Sequence, residues 1–207
     1  PLTKLAAIGR LGARLVKASY DECWRAVEEH GSDRMGGVFI HPFDDDRFIA
    51  GNATAGLEIL EDLPDVDTVI APIGGGGLIA GVGSALRALK PDVKIVAAEP
   101  ATAAPLAASL RAGGGSRFPE WEASFVDGAG GKAVLPSMWP LLSTLVTDSI
   151  VVSLDEVAQA MRIVAERARV VSEGAAACAV AAALTGRAGQ GKIVAVVSGG
   201  NIDLARF

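Results

Sequence analysis

The sequence predicts an α/β fold in which an open parallel sheet is covered by helices on both faces. Short apolar runs rich in β-branched residues recur along the chain without strict alternation of polar and apolar positions. Such runs are typical of strands that are buried on both faces. Segments with apolar residues at helical spacing lie between the runs, and strands that alternate with helices indicate a parallel sheet.

The elements follow in order. The runs predicted as strands are residues 68–73, 94–98, 150–152 and 192–197. Helices are predicted over residues 78–89, from Ser153 onward, and over 173–184. The second of these has the clearest start, because Ser153 and Glu156 have the spacing of a capping box. Pro91 lies just past the first helix, and Gly186 is expected to end the third as a C′ glycine.

The first forty residues repeat the same pattern on a smaller scale. Helices are predicted over residues 2–11 and 20–30, and strands over 14–18 and 38–40. A turn-forming segment begins at His41, and we place a domain boundary there. Residues 1–41 are therefore expected to be the C-terminal part of a small α/β domain, and residues 42–207 a larger domain.

The amino-acid composition excludes several classes of protein. The chain has 207 residues, of which 50% are hydrophobic and 21% charged, with a net charge of −5. This balance excludes a disordered chain, and the absence of a basic run argues against nucleic acid as a partner. No apolar run is long enough for a membrane span. Cys23 and Cys178 are too far apart in sequence to suggest a disulfide framework, so we expect core thiols in a cytoplasmic enzyme.

Four consecutive glycines, residues 74–77, separate a predicted strand from a predicted helix. Without Cβ atoms, such a loop can point several N–H groups into one concavity, and the following helix N-terminus favours an anion. This glycine loop therefore indicates a phosphate site. It is not a Walker A loop, because no Lys-Ser or Lys-Thr follows it. A Rossmann pattern with Gly75, Gly77, Ala80 and Glu99 stays open as a weaker alternative, since any glycine run generates it.

A second glycine turn, Ser198-Gly199-Gly200, follows the last predicted strand. Open α/β sheets bind ligands at the carboxyl ends of their strands, which is where Ser198 is expected. A turn or helix-capping serine is the structural alternative.

Together these segments carry a resemblance to a known family. The stretch "HPFDDDRFIAGNATAGLEILEDLPDVDTVIAPIGGGGL" resembles the threonine/serine dehydratase and serine racemase family. "FVDGAGGK", "VVSEGAAACAVAAAL" and "VVSGGNID" continue the similarity in family order. Members of this family are fold-type II pyridoxal-phosphate enzymes related to the tryptophan synthase β subunit. The resemblance covers essentially the whole chain.

The resemblance implies pyridoxal 5'-phosphate as cofactor and a set of cofactor-binding residues: Gly74, Gly75, Gly76, Gly77, Leu78 and Ser198. The glycines and Leu78 would hold the phosphate, and Ser198 would face the pyridine nitrogen. Glu173 is a candidate catalytic residue near the ring, or else an acidic residue that interacts with a helix N-terminus. A homodimer is expected for the intact protein, because dimers are common in this family.

The implied reaction is α,β-elimination on L-threonine, L-serine or a similar small β-hydroxy amino acid, which yields a 2-oxo acid and ammonia. Three alternatives stay open. The first is an amino-acid racemase or β-replacement enzyme of the same fold, and the second is a non-catalytic remnant or phosphate-ligand binding module. A Rossmann oxidoreductase is the third choice.

The sequence departs from the family at two points. None of the lysines stands in the Ser-Phe-Lys-x-Arg-Gly context of the family's Schiff-base lysine, so we expect this chain alone to be inactive and part of a longer enzyme. The family's cation site would use Glu99 and Ala103, but Pro105 stands where an acidic ligand is required, and no metal site is predicted. His30 and His41 are expected on the surface and in a loop, and Asp44, Asp45 and Asp46 as a solvated helix cap.

Overall fold

The computed structural model describes residues 2–203, which contain a four-stranded parallel sheet. Its strands are β1 (Thr68–Pro72), β2 (Lys94–Pro100), β3 (Asp148–Val152) and β4 (Ile193–Ala195). They are arranged in the order β3-β2-β1-β4, and every neighbouring pair is parallel. Each strand coincides with a predicted run, so the predicted fold class is confirmed.

Helices connect and cover the strands. They are α1 (Leu2–Arg10), α2 (Tyr20–Glu28), α3 (Asp46–Asp62), α4 (Gly77–Leu89), α5 (Pro105–Ala112), α6 (Trp139–Leu145), α7 (Leu154–Ile163) and α8 (Gly174–Leu184). A π-helical turn, Val164–Ala168, continues α7. The capping box at Ser153 is present, and Gly186 has a φ of +73° just past α8. No helix among residues 2–203 has the length and apolar character needed to cross a membrane.

Each face of the sheet has its own hydrophobic core. Val69 and Ala71 of β1 point to the side covered by α4, whereas Ile70, between them, points to the side covered by α7 and α8. All three side chains are at most 1% exposed. This burial on both faces explains why the strand sequences lack polar alternation.

The N-terminal segment differs from its prediction. Helices α1 and α2 form, but residues 14–18 and 38–40 are not strands, and Val38 and Ile40 are 93% and 77% exposed. A strand is stable only when a neighbour takes up its backbone hydrogen bonds, and these two segments pair with nothing among residues 2–203. The strand predictions were therefore wrong because local propensity does not supply a pairing partner.

Two single-residue predictions were also wrong. His41 lies in a loop as expected, but it is only 3% exposed rather than at the surface, because its ring packs between His30 and Phe43. Cys23 is exposed on α2 rather than a core thiol. The prediction for Cys178 is confirmed, and burial raises the pKa of its thiol to about 12, which keeps it protonated.

Helices α3 and α4 pack closely through glycines. A Cβ on Gly81 would overlap the carbonyl oxygen of Ile49 and lie 2.6 Å from the Cβ of Asn52. A Cβ on Gly56 would lie 2.8 Å from the carbonyl oxygen of Val82. The crossing holds α3, and the segment that leads into it, against the start of α4.

This crossing gives a stability prediction with an internal control. Gly81→Ala should lower the free energy of unfolding by about 1–3 kcal/mol, because the added methyl has no space. Gly51→Ala, in α3, should raise it by about 0.5–1 kcal/mol, since a Cβ there meets nothing within 4 Å. Urea unfolding of both variants measures the difference, and equal effects would contradict the packing described.

Candidate active site

The glycine loop lies at the carboxyl end of β1 and leads directly into α4. Gly76 has a φ of +101°, which favours glycine, and a Cβ on Gly75 would overlap the ring of Phe43. Other parts of the chain thus approach the loop closely. Close packing therefore accounts for glycines at these positions.

The two helices that begin beside this loop have no side-chain cap. Among the described residues, no side chain caps α4 at Gly76 or α8 at Glu173. In contrast, Ser19, Asp45 and Ser153 cap α2, α3 and α7. The first N–H groups of an uncapped helix have no intrahelical acceptor and carry partial positive charge. The starts of α4 and α8 therefore have donors to offer an anion.

One cavity of about 290 Å³ brings the predicted site residues together. The predicted residues that line it are Gly74, Gly75, Gly76, Gly77, Leu78, Glu173 and Ser198. The remaining wall includes Pro42, Phe43, Phe48 and Gly128. Strands β1 and β4 are adjacent and parallel, so the glycine loop after β1 and the Ser198 turn after β4 meet at one sheet edge. Ser198 is exposed, so its hydroxyl is accessible.

Glu173 lies between the Ser198 turn and the loop that contains Gly128. Its backbone N–H donates to the carbonyl of Gly199 at 3.0 Å. A Cβ on Gly199 would lie 2.8 Å from Glu173 Oε1, and one on Gly128 would lie 3.6 Å from the same atom. Although Glu173 is the N-cap residue of α8, its carboxylate makes no cap bond. The carboxylate instead forms part of the cavity wall.

Lys4 approaches Glu173 from α1. Its Nζ lies 2.9 Å from Asp127 Oδ1 and 3.5 Å from Glu173 Oε2. Burial lowers the pKa of Lys4, but the hydrogen bonds and charges of the two carboxylates outweigh it and leave that pKa above its ordinary value. Lys4 is therefore an ammonium at neutral pH and balances the charge of Glu173.

A cluster around Lys132 links α2 to the loop after α5. The Lys132 ammonium lies 4.7 Å from the ring centroid of Tyr20 and 4.6 Å from that of Trp121. Its Nζ is 2.6 Å from Asp21 Oδ1. The Tyr20 hydroxyl and the Trp121 indole N–H both donate to the carbonyl of Gly130, at 3.2 and 2.9 Å.

This cluster fixes the loop that covers the glycine loop. A Cβ on Gly131 would lie 3.2 Å from the carbonyl oxygen of Gly74, and a Cβ on Gly74 would lie 2.7 Å from that of Gly128. Residues 128–131 thus pack directly on the glycine loop. The Lys132 cluster is a part of the site that sequence analysis missed, because its members are far apart in the chain.

Glu99 is not available to a ligand. It is fully buried, and its carboxylate accepts hydrogen bonds from the N–H groups of Leu106 and Ala107, at 2.7 and 2.8 Å. The Ser149 hydroxyl adds a third at 2.6 Å. Burial raises the pKa of Glu99, and these three donors oppose that shift. The ribose-binding role required by the Rossmann alternative would leave the start of α5 without its acceptor.

His30, His41 and Asp44 place ligand atoms within 4.8 Å of one another. Both ring nitrogens of His41 are engaged, however. Nδ1 accepts from the N–H groups of Phe43 and Asp44, and Nε2 faces the carbonyl of Val27. A cation would have to displace these bonds, so the cluster does not suit a metal.

Comparison with known proteins places the chain in a family. The family described as "Pyridoxal-phosphate dependent enzyme" matches residues 1–199. The chain belongs to this family. The family's dependence on pyridoxal phosphate agrees with a cavity that includes an uncapped helix start with backbone N–H donors.

Individual relatives agree with this assignment. L-threonine ammonia-lyase of Thermotoga maritima is 40% identical over 207 residues, which cover 99% of this chain and 51% of that protein. Serine racemase of Oryza sativa subsp. indica is 36% identical over 213 residues, which cover 99% of this chain and 62% of that protein. The structure of maize serine racemase matches with a TM-score of 0.87 at 34% identity, covering 100% of this chain and 64% of that one.

These comparisons lead to two statements about this chain. Its fold is that of the fold-type II pyridoxal-phosphate enzymes, as the sequence predicted. The chain spans about half to just under two thirds of the length of these curated relatives.

The Lys132 cluster gives a testable consequence for stability. Lys132→Met should lower the free energy of unfolding by about 1–2 kcal/mol through loss of the cation–π contacts alone. Lys94→Met removes the same charge from an exposed position and is the matched control. Because Lys132 holds the pKa of Asp21 below its ordinary value, the difference should persist at neutral pH and diminish as pH falls through that lowered pKa. Thermal unfolding measures the difference. An equal loss of stability in both variants would contradict the stabilising role of the Lys132 cluster.

Proposed function

We propose that the cavity binds pyridoxal phosphate and that the intact protein removes ammonia from L-threonine, L-serine or a similar β-hydroxy amino acid, leaving a 2-oxo acid. The observation that carries this proposal is the convergence of the glycine loop, Glu173 and Ser198 on one cavity. Family membership supports the cofactor. The L-threonine ammonia-lyase relative supports the reaction.

The phosphate end of the site consists of backbone groups. The glycine loop and Leu78 would donate N–H groups to the phosphate, and the start of α4 would add its partial positive charge. Phe43 and Phe48 lie on the same wall and exclude water from the anion, which strengthens each hydrogen bond.

The ring end of the site consists of Ser198 and Glu173. When bound, pyridoxal phosphate withdraws electrons from the α-carbon of the amino acid. A neutral Ser198 hydroxyl can hydrogen-bond the pyridine nitrogen without holding it protonated, as a carboxylate would, and this limits electron withdrawal. Such a setting favours prompt loss of a β-hydroxyl over transamination. Glu173 would position the ring from the wall next to the Ser198 turn.

Lys4 is not proposed as the Schiff-base lysine. Its amine is held as an ammonium between Asp127 and Glu173, and an ammonium has no lone pair to attack an aldehyde. We assign no residue of this chain to that role. The predicted boundary after His41, the homodimer and the cytoplasmic location likewise stay predictions for the intact protein.

A racemase of the same fold is the second candidate, because serine racemases are among the relatives. The products distinguish the two. With the intact protein and pyridoxal phosphate, L-threonine should give 2-oxobutanoate and ammonia in equal amounts, measured by coupled absorbance. D-serine as the main product from L-serine would favour the racemase, and no turnover of either amino acid would favour a phosphate-ligand binding module.

Cofactor binding gives a direct prediction for Ser198. Pyridoxal phosphate should bind at least tenfold more tightly than pyridoxal, because the glycine loop contributes only when a phosphate is present. Ser198→Ala should weaken binding of both ligands by about three- to tenfold, the effect of one lost hydrogen bond. Isothermal titration measures all four affinities.

The matched control is Ser143→Ala, an exposed serine on α6 that does not line the cavity. It should leave both affinities unchanged. Equal affinity for pyridoxal phosphate and pyridoxal would contradict the phosphate site. Tight NAD binding in place of either would favour the Rossmann alternative.

A further inference from the structure

The segment that crosses the glycine loop is held by a single buried imidazole. We call residues 41–44 the strap. Within the strap, the ring of Phe43 lies on Gly75, and a Cβ on Gly77 would come within 2.8 Å of Phe43 Cα. The strap therefore forms one wall of the cavity, and a shift of its backbone would change the space beside the loop.

His41 organises the strap from within. Its Nδ1 accepts hydrogen bonds from the backbone N–H groups of Phe43 and Asp44, at 3.2 and 2.6 Å. Because Nδ1 accepts two donors, the ring proton must be on Nε2, where it donates to the carbonyl of Val27 on α2 at 3.2 Å. The imidazole is thus neutral and of one tautomer. The ring also packs edge-on against Phe43, with centroids 4.6 Å apart.

We propose that neutral His41 is a positioning residue of the cofactor cavity, which holds the Phe43 backbone so that its ring stays on the glycine loop. The inference rests on the proposed cofactor site. Protonation of His41 places a hydrogen on Nδ1, which then cannot accept from Phe43 or Asp44. Two backbone donors lose their partner, the strap shifts, and phosphate binding weakens.

The groups around His41 determine the pH range in which its ring becomes protonated. The titratable groups that face the ring are His30, with ring centroids 4.6 Å apart, Asp44 and Asp45. Burial lowers the pKa of His41, and His30 lowers it further, while Val27 and the two aspartates oppose the shift without reversing it. The folded pKa therefore lies below the ordinary 6.5. His41 is neutral at pH 7.5, and its stabilising effect is lost as pH falls below that ordinary value.

The test compares the affinity for pyridoxal phosphate at pH 7.5 and pH 5 in the unsubstituted protein and three variants. His41→Asn keeps an acceptor near the position of Nδ1 but does not titrate. His41→Phe removes the acceptor. His30→Asn removes the other histidine of the chain, which has two in all. Protonation of the ligand phosphate itself is common to all four proteins and cancels in the comparison.

The expected result is specific to His41. Between pH 7.5 and pH 5, the unsubstituted protein and His30→Asn should lose at least threefold more affinity than His41→Asn. His41→Phe should bind weakly at both values. If the unsubstituted protein binds pyridoxal phosphate and its affinity depends on pH as that of His41→Asn does, the role of His41 is overturned and the proposed cofactor site is not. Failure of the unsubstituted protein to bind it at either pH would overturn the proposed cofactor site and this inference with it.

A second readout needs no ligand. Hydrogen exchange of the Phe43 and Asp44 amides, expressed as protection relative to the unfolded chain, reports the two bonds to Nδ1 directly. Protection should be high at pH 7.5 and fall at least tenfold at pH 5 in the unsubstituted protein, but not in His41→Asn. Protection that is the same at both pH values in the unsubstituted protein would overturn the role of His41.

Discussion

The site depends on how closely separate parts of the backbone approach the glycine loop. The ring of Phe43 lies on Gly75, and the carbonyl oxygen of Gly128 lies 2.7 Å from where a Cβ of Gly74 would be. Any side chain on these positions would push the strap or the covering loop away. The same absence of side chains lets the backbone at the start of α4 line the cavity. One constraint, close backbone packing, thus shapes the walls and the donors together.

The distribution of charge around the cavity depends on which helix N-termini are capped. Side chains cap α2, α3 and α7, and the buried Glu99 carboxylate accepts from the first N–H groups of α5. The starts of α4 and α8, which line the cavity, have no such cap. Glu173 is placed at one of them, yet its carboxylate faces Lys4 rather than its own helix. The cavity therefore combines an end with uncapped N–H donors, which suits a phosphate, with a wall that carries the Glu173 carboxylate paired to Lys4.

Sequence reasoning named the parts of the candidate site that local motifs encode, and these residues line one cavity. The glycine loop and Ser198 follow strands whose apolar runs are unmistakable, and parallel strands bring their carboxyl ends to one edge. It could not find the Lys132 cluster, because Lys132 and Asp21 are 111 residues apart and the segment "FVDGAGGK", which ends at Lys132, does not indicate that contact. The sequence left Glu99 as a possible ligand-binding residue. Its burial and its three hydrogen-bond donors arise only in the fold, so the sequence could not show that it is unavailable.

The errors have a common physical cause. Residues 14–18 and 38–40 have strand-like composition, but no described strand pairs with them. His41 lies in a loop, and it is buried by tertiary packing against α2 and His30, which the sequence does not show. In each case the deciding interaction joins segments that the sequence does not show to be neighbours.

The central claim is that backbone donors of the glycine loop hold the phosphate of pyridoxal phosphate. A crystal structure of the protein with pyridoxal phosphate tests it most directly. The account predicts phosphate oxygens within hydrogen-bond distance of the N–H groups of residues 74–78, with the pyridine nitrogen facing the Ser198 hydroxyl. Phosphate bound away from the glycine loop, or a ring turned away from Ser198, would contradict it.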